Sequence, residues 1–417
     1  MACYPKKPHF LQYFIVLLSI FMSFFCASFA QAENIEVGIL MTAGPQKSSY
    51  LKHAQDFEKM NPGITLELKF YSDAEFKKAL PSWLARKDGP KVLSWQGGRR
   101  LFQFVEKNQI TDLSDFWAKH DLTQVFSQSS LGAIKLDDKP YGVPISYYQW
   151  GFYYRASLFQ DLSLQAPTNW EEFLAVCEAL KKAGVKPISI GAKNKWTSAA
   201  WFDYLNLRIN GLDFHQRLLQ GNESFKSDKV RKVFEHWNVL LENDYFVDKF
   251  DDWDWQQAMP FTYHKMAGMT LIGNFFAGAM PAKLKDDFRF FPFPIINAEL
   301  EIYEEAPLDI FMVPSYARLT PGIESYLLSL ASVDFQQSYN ESAGMISPNV
   351  DAKPSSDYFI AEGQALLQRA KGVSQFFDRD TNAAMAGAAT AIFTDYMRHR
   401  DVERVTSELE RAGQQHL

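Results

Sequence analysis

The residues best suited to bind a small molecule in this 417-residue sequence are aromatic side chains that stand beside polar ones. Aromatic residues make up 15% of the chain, which is a high share. Three clusters carry the mixture: Trp95-Gln96-Gly97-Gly98-Arg99, Tyr147-Tyr148-Gln149-Trp150, and Lys195-Trp196 with Trp201 and Asp203. A flat ring can cover the C–H face of a sugar while polar groups bind its hydroxyls. The clusters therefore indicate a carbohydrate pocket.

Common catalytic motifs are missing from the sequence. It contains no G-x-S-x-G nucleophile turn, no G-x-x-x-x-G-K-[ST] phosphate loop, no G-x-G-x-x-G dinucleotide motif and no H-E-x-x-H zinc motif. The eight histidines are scattered without metal-ligand spacing, so we expect neither a metal nor a cofactor. Cys177 stands on an apolar helix face, where a buried, inert thiol is expected rather than a nucleophile.

Two acidic stretches leave alternatives open. In residues 251–255, Asp252 and Asp254 could act as paired carboxylates on a glycosidic bond, with tryptophans as platforms for the sugar. We favour an exposed acidic turn whose tryptophans pack inward, because aromatic side chains are often simply core. Residues 378–381 are interpreted as a cluster of salt bridges and a helix cap rather than as a metal loop.

The elements that must position these residues begin with a wound sheet. Apolar residues alternate in 35–41 and 64–70 and form a short run in 92–95, which predicts three strands. Helical spacing in 50–57 and 76–83 places a helix between successive strands. This β-α-β-α-β series predicts an α/β fold.

A second lobe is predicted to begin near Pro144. The apolar run 145–154 is followed by a helix start in which Thr168 and Glu171 are spaced as a capping box, and 185–190 supplies another strand. The chain is longer than the roughly 250 to 300 residues that one core supports, so two lobes are expected. Since no long flexible linker separates them, several close crossovers should form a hinge.

The N-terminus predicts export from the cytoplasm. Lys6 and Lys7 precede an apolar run over 14–25, and Ala30-Gln31-Ala32 forms a small-x-small cleavage site. Residues 1–32 are therefore predicted to be a signal peptide, and the mature chain is expected to be soluble in the periplasm. The formal net charge of −6 disfavours nucleic acid as a partner, because phosphate binding needs a basic surface.

Several segments in order carry a resemblance to a known family. They are Tyr141-Gly142-Val143-Pro144, Phe152-Tyr153-Tyr154-Arg155, Pro167-Thr168-Asn169-Trp170-Glu171-Glu172-Phe173, residues 268–275, and Phe290-Phe291-Pro292-Phe293-Pro294. With these segments the sequence resembles the family 1 extracellular solute-binding proteins, which include maltose-binding protein. The resemblance covers nearly all of the chain after residue 32.

The resemblance implies a two-lobed periplasmic-binding-protein fold with a hinge of several crossovers. The N-terminal lobe would comprise residues 33–145 and about 303–348, and the C-terminal lobe residues 146–302 and about 349–417. The function implied is capture of a mono- or oligosaccharide between the lobes by a monomer, and delivery to the membrane subunits of an ABC importer. A periplasmic sensor for a chemoreceptor or kinase and a carbohydrate-active hydrolase are the alternatives.

The resemblance also implies ligand-binding positions in the N-terminal lobe and at the first crossover. Trp95 and Arg99 follow a strand where the family places a cleft tryptophan and a polar partner. Tyr148 stands where sugar binders of the family often have a glutamate, which weakens any transfer of maltose specificity. Tyr147 and Trp150 flank it, and alternation along a strand would turn part of this set into core.

Four further positions complete the predicted ligand-binding set. Trp196 falls in a loop where the family commonly presents an aromatic platform, and Phe275 replaces a frequent tryptophan at a second platform. Asn274 could bond a hydroxyl. Asp309, an isolated acid among apolar residues, is either a satisfied structural group or a ligand acceptor.

Overall fold

The structure is a computed structural model that describes residues 1–2, 33–41 and 44–417. The predicted signal peptide, residues 1–32, lies outside the described residues except for its first two positions. Within the described ranges, no helix combines the length and the apolar character that crossing a membrane requires.

The strands belong to two larger sheets and two small ones. In chain order they are β1 (Glu33–Leu40), β2 (Ile64–Tyr71), β3 (Val92–Gln96), β4 (Lys135–Leu136), β5 (Lys139–Pro140), β6 (Val143–Tyr147), β7 (Trp150–Arg155), β8 (Lys186–Ser189), β9 (Ala267–Gly273), β10 (Phe288–Phe291), β11 (Tyr303–Glu305), β12 (Leu308–Met312) and β13 (Gly372–Ser374). β4 pairs with β5, and β11 pairs with β13.

The helices surround these sheets. In chain order they are α1 (Gly44–Met60), α2 (Asp73–Arg86), α3 (Arg99–Val105), α4 (Ser114–Lys119), α5 (Leu122–Val125), α6 (Gln128–Leu131), α7 (Ala156–Asp161), α8 (Trp170–Lys182), α9 (Trp196–Leu219), α10 (Asp228–Glu242), α11 (Trp255–Tyr263), α12 (Phe275–Ala279), α13 (Ala282–Lys285), α14 (Pro321–Ala331), α15 (Val333–Ala343), α16 (Tyr358–Arg369), α17 (Phe377–Asp380), α18 (Ala383–His399) and α19 (Val402–His416).

A five-stranded sheet in the order β2-β1-β3-β12-β6 forms the centre of the N-terminal lobe. β1 pairs in parallel with β2 and β3, whereas β12 runs antiparallel to β3 and β6. Ile35, Val37 and Ile39 of β1 are fully buried, as a period of two predicts. The predicted β-α-β-α-β series is confirmed, with α1 and α2 connecting its strands.

A four-stranded sheet in the order β10-β7-β9-β8 forms the centre of the C-terminal lobe. Every residue of β9 is buried, because β9 lies between two other strands and under helices. Phe152 on β7 stacks on Phe291 at 5.0 Å between ring centroids and also contacts Phe173 and Trp201. These rings join the sheet to α8 and α9.

The start of α8 differs from the predicted capping box by one residue. The side chain of Asn169 accepts a hydrogen bond from the Glu172 N–H at 3.0 Å, so Asn169 is the N-cap. The carboxylate of Glu172 accepts from the N–H and hydroxyl of Thr168, each at 2.8 Å. Thr168 therefore pairs with Glu172 and not with Glu171, because the helix begins at Trp170.

Within the described residues the chain passes between the lobes three times. The first passage is at 148–149, between β6 and β7, the second at 306–307, between β11 and β12, and the third lies in 351–357, before α16. Gln149 donates to the carbonyl of Phe359 at 2.7 Å, which joins the first passage to α16. The predicted two-lobed fold with a hinge of several crossovers is confirmed; the exact limits of the lobes stay a prediction.

A buried ion pair anchors the C-terminal side of the hinge. The guanidinium of Arg208, on α9, pairs with the carboxylate of Glu304, on β11, and it also donates to the carbonyls of Phe293 and Tyr303. Tyr204 donates to Glu304 at 3.2 Å. Burial raises the pKa of Glu304, and Arg208 opposes that rise.

We expect the variant Arg208→Met to lower the free energy of unfolding by about 3–5 kcal/mol, because it leaves the Glu304 carboxylate buried without its cation. The double variant Arg208→Met with Glu304→Leu should recover most of that loss, since both charges are then gone. Urea unfolding of the three proteins measures both effects.

The matched control is Arg231→Met, which removes a pair with Glu403 at the surface. Its unfolding midpoint should stay close to that of the wild type. A double variant no more stable than Arg208→Met would contradict the role given to the pair.

Candidate functional site

A cavity of about 550 Å³ opens between the two lobes. The N-terminal lobe contributes the start of α2, with Asp73 and Lys77, and Gln96 at the end of β3. The first crossover contributes Tyr148, and the C-terminal lobe contributes several rings. In wound sheets the ends of the strands line a ligand crevice, and β3 follows this rule.

Six aromatic side chains surround this cavity: Tyr148, Trp150, Trp196, Trp255, Phe275 and Phe376. Their rings contact one another mostly edge to face. Phe275 lies 4.9 Å from Trp255 and 5.5 Å from Tyr148 between ring centroids, and Trp150 lies 5.8 Å from Trp196. Such contacts fix each ring, so the cavity presents a preformed aromatic wall.

Three of the rings stand at the first position of a helix. Trp196 begins α9, Trp255 begins α11 and Phe275 begins α12. The start of α11 is fixed by a capping box in which Asp254 accepts from the Gln257 N–H at 2.8 Å. The helices of the C-terminal lobe thus set the positions of the rings that face the N-terminal lobe.

Two ion pairs lie at the cavity. Lys77 contacts Asp73 at 2.7 Å, and Asp378 contacts Arg100, which stands behind the cavity wall, at 3.0 Å. Burial alone would raise the pKa of Asp378, but Arg100 and Lys77 outweigh it and hold that pKa below its usual value. Asp378 is therefore an ionised partner of Arg100.

Arg379 joins the cavity to the crossovers. Its guanidinium contacts the Asp309 carboxylate at 3.1 Å and donates to the Tyr148 hydroxyl at 2.9 Å and to the Leu308 carbonyl at 3.3 Å. An arginine carries five N–H donors, so two of them have no partner within the described part of the chain. Arg379 also lines the cavity.

Four of the nine predicted ligand-binding residues come together in this cavity. Tyr148, Trp150, Trp196 and Phe275 all line it. Tyr148 and Tyr147 face opposite sides of the crossover, and Tyr147 lines a different cavity of about 780 Å³. The alternation expected along this segment accounts for that difference.

Three other predicted residues lie around this cavity rather than in its wall. Trp95 is buried on β3, donates its indole N–H to the Arg100 carbonyl at 3.1 Å, and lines a neighbouring cavity. Asp309 lies behind Arg379 as its ion-pair partner. The guanidinium of Arg99 pairs with Glu106 at 2.7 Å and does not line the cavity.

Asn274 is fully buried and does not line the cavity. Its amide oxygen accepts from the Tyr153 hydroxyl at 2.6 Å, and its amide nitrogen donates to the Gly344 carbonyl. Both ends of the amide therefore have a partner in the protein interior, and the expected role of Asn274 towards a ligand hydroxyl stays a prediction. The sequence neighbour Phe275 faces the cavity instead.

The sequence interpretation does not include Trp255, because it treats 251–255 as a turn whose tryptophans pack inward. That interpretation holds for Trp253, which packs edge to face on Phe261 at 5.9 Å, but Trp255 lines the cavity. The D-x-x-Q spacing of Asp254 and Gln257 is the signal that could have placed Trp255 at a helix start.

The salt bridges predicted for residues 378–381 are confirmed by the pairs of Asp378 with Arg100 and of Arg379 with Asp309. Their position at the cavity was not predicted. It depends on partners 70 and 278 residues away along the chain, which local spacing does not reveal.

The acidic residues and the cysteine that could act in catalysis have other contacts or positions in the structure. Asp254 caps α11, Asp252 is exposed outside the residues that line the cavity, and Asp251 pairs with Arg398. Cys177 is buried, and burial raises the pKa of its thiol well above the usual value. The thiol is therefore inert, as the sequence predicts.

A two-lobed α/β fold with an aromatic cavity at the hinge defines a class of proteins that bind a small solute between their lobes. The chain belongs to the bacterial extracellular solute-binding protein family, whose sequence pattern matches residues 43–325.

Individual relatives agree with this assignment. The chain is 24% identical to an uncharacterized ABC transporter extracellular-binding protein of Pyrococcus horikoshii over 77% of this chain and 73% of that protein. It is 22% identical to a probable sugar-binding periplasmic protein of Rhizobium meliloti over 86% of this chain and 84% of that protein. Among solved structures, the bacterial solute receptor AcbH, described as exclusive for β-D-galactopyranose, superimposes with a TM-score of 0.86 at 25% identity, over 92% of this chain and 98% of that one.

Asp380, at the end of α17, predicts a pH dependence of stability. Burial raises the pKa of its carboxyl to about 6, although the Arg99 backbone N–H and the Arg99 charge favour the ionised form. Because the folded pKa lies above the unfolded one, the ionised carboxylate lowers stability above that pKa, and protonation removes this penalty as pH falls. When the pH falls from 7 to 5, we expect the free energy of unfolding of the wild type to rise by about 1 kcal/mol relative to that of Asp380→Asn.

Urea unfolding of wild type and Asp380→Asn at both pH values measures this difference. The comparison isolates Asp380, because every other titrating group is shared by the two proteins. The same pH response in both proteins would show that the pKa of this carboxyl is not raised in the folded protein.

Proposed function

We propose that this protein captures an uncharged carbohydrate in the 550 Å³ cavity and delivers it to the membrane subunits of an ABC importer. The observation that carries the proposal is the wall of six rings around a cavity that also holds amide, hydroxyl and charged groups. Rings cover the C–H faces of a sugar, and polar groups replace the water on its hydroxyls. The sugar-binding names of relatives support the same class of ligand.

The paired charges favour an uncharged ligand. Among the described residues, Lys77 and Arg379 are the cations in the cavity wall, and each already contacts a carboxylate. Asp73, Asp254 and Asp378 more than balance them. A phosphorylated or carboxylated solute would meet excess negative charge, whereas sugar hydroxyls can accept from the N–H groups and donate to the carboxylates.

The position of the cavity at the hinge supports capture by closure. Lys77 and Gln96 approach the ligand from one lobe, and Trp196 and Trp255 from the other. A ligand that contacts both lobes stabilises the closed arrangement, and the importer would recognise that closed form. After cleavage of the predicted signal peptide, the protein would act in the periplasm as a monomer, without turnover of its ligand.

Two tryptophans two residues apart allow a matched test of the ligand site. We expect Trp255→Ala to weaken binding of a matching sugar by about tenfold or more, because a stacking face at the cavity is lost. Trp253→Ala should leave the affinity near that of wild type, since Trp253 packs on Phe261 away from the cavity. Titration calorimetry with sugars selected by a thermal-shift screen measures both affinities.

The same titrations define failure of the proposal. Equal losses in Trp255→Ala and Trp253→Ala would point to general destabilisation and not to stacking. A screen in which polyamines or amino acids shift the melting temperature and sugars do not would replace the proposed ligand class.

Closure has its own measurement. We expect the radius of gyration from small-angle scattering to fall when a sugar that binds in calorimetry is added, because the lobes come together around it. Identical scattering profiles with and without that sugar would show that binding does not involve closure.

A further inference from the structure

A second cavity of about 440 Å³ adjoins the first. Both cavities are lined by Lys77, Asn194, Trp196 and Asp378, so these four residues form their common border. Trp196 is half-buried at this border, where one ring belongs to both spaces. The second cavity therefore lies directly beside the first, on the other side of these four residues.

The N-terminal lobe closes one side of the second cavity with an aromatic surface. Trp95, Pro81 and Phe104 line it, together with the side chains of Gln103 and Lys107. Trp95 stacks on Phe76 at 5.8 Å, which holds its ring in place. This combination of a fixed indole with an amide and an ammonium group repeats the chemistry of the first cavity.

The C-terminal lobe leaves the other side of the second cavity empty. Ala383, Ala386, Gly387 and Thr390 face it, and their spacing places these small side chains on one side of α18. A Cβ atom built on Gly387 would meet no atom within 4 Å. The helix thus presents its smallest side chains to this space, and the space is not filled by the protein.

The border carries polar groups that suit a link between two sugar rings. Asn194 is exposed, and Lys77 and Asp378 form ion pairs with Asp73 and Arg100. A hydroxyl of either ring could replace water on these groups without breaking either ion pair.

We infer that the ligand is an oligosaccharide of at least two rings, with one ring in the first cavity and the next in the second cavity beside Trp95. This inference rests on the proposed function and adds the size of the ligand. A monosaccharide would occupy the first cavity and leave the Trp95 surface to water. An oligosaccharide contacts both cavities and buries apolar surface in each.

The test compares sugars of the same composition and different length. Calorimetry with neutral monosaccharides and their di- and trisaccharides should give affinities at least about tenfold higher for the longer sugars, because the second ring adds contacts. The variant Gly387→Phe places a ring in the open space, and the ratio of oligosaccharide to monosaccharide affinity should fall towards one.

Ala384→Phe is the matched control. Ala384 is exposed on the same helix and does not line the second cavity, so this variant should keep the wild-type ratio. Melting temperatures of both variants show that each is folded. The wild-type ratio tests the inference without any variant.

The possible results test the oligosaccharide inference separately from the proposed capture of a sugar. Monosaccharides that bind as tightly as their oligomers would overturn the second subsite while keeping capture of a sugar. A ratio unchanged by Gly387→Phe would place the second ring elsewhere. Absence of binding by any sugar would remove the proposed function and the inference together.

Discussion

The guanidinium of Arg379 is the group on which the geometry of the cleft depends. It lies on α17 of the C-terminal lobe and bonds to Tyr148 at the first crossover and to Leu308 and Asp309 just after the second. A planar cation with several fixed donors can bind three acceptors from different segments at once, which an ammonium group does less well. Burial raises the pKa of Asp309 while Arg379 opposes the rise, so each group stabilises the charge of the other.

The interior beside this group is unusually polar. Asp203, His215 and Glu305 are fully buried beneath α17, and Asp203 accepts from the Phe377 N–H at 3.0 Å. Burial raises the pKa of both carboxyls and lowers the pKa of His215 to about 3. Neutral side chains in this cluster avoid the desolvation penalty that buried charges would carry.

Sequence patterns predicted the parts of this protein that depend on local spacing. Alternation identified β1, and helical spacing with turn residues identified the wound order of the first lobe. The resemblance to a family pointed to Trp150, Trp196 and Phe275, and these residues line the cavity; their role in ligand binding stays a prediction. The predicted lobes and hinge follow from chain length and from the absence of a linker.

Contacts between residues far apart along the chain determine the features that the sequence did not predict. Asn274 has two partners, Tyr153 and Gly344, that lie 121 and 70 residues away, so the sequence around it could not show that its amide is already satisfied. Arg99 and Arg100 are adjacent, yet Arg100 turns to Asp378 and Arg99 to Glu106. Which of two neighbouring cations faces a cleft is set by the helix direction and by the opposite lobe.

Three of the rings at the cavity stand at helix starts, so the residues that shape the cavity differ from the residues that pack the rest of each helix. Trp196, Trp255 and Phe275 each stand at the first position of a helix and line the cavity. Exchanging such a ring alters the shape offered to a solute while the remainder of the helix keeps its packing. A single substitution at one of these positions can therefore change which solute fits the cavity, during evolution or in a designed biosensor, while the fold stays the same.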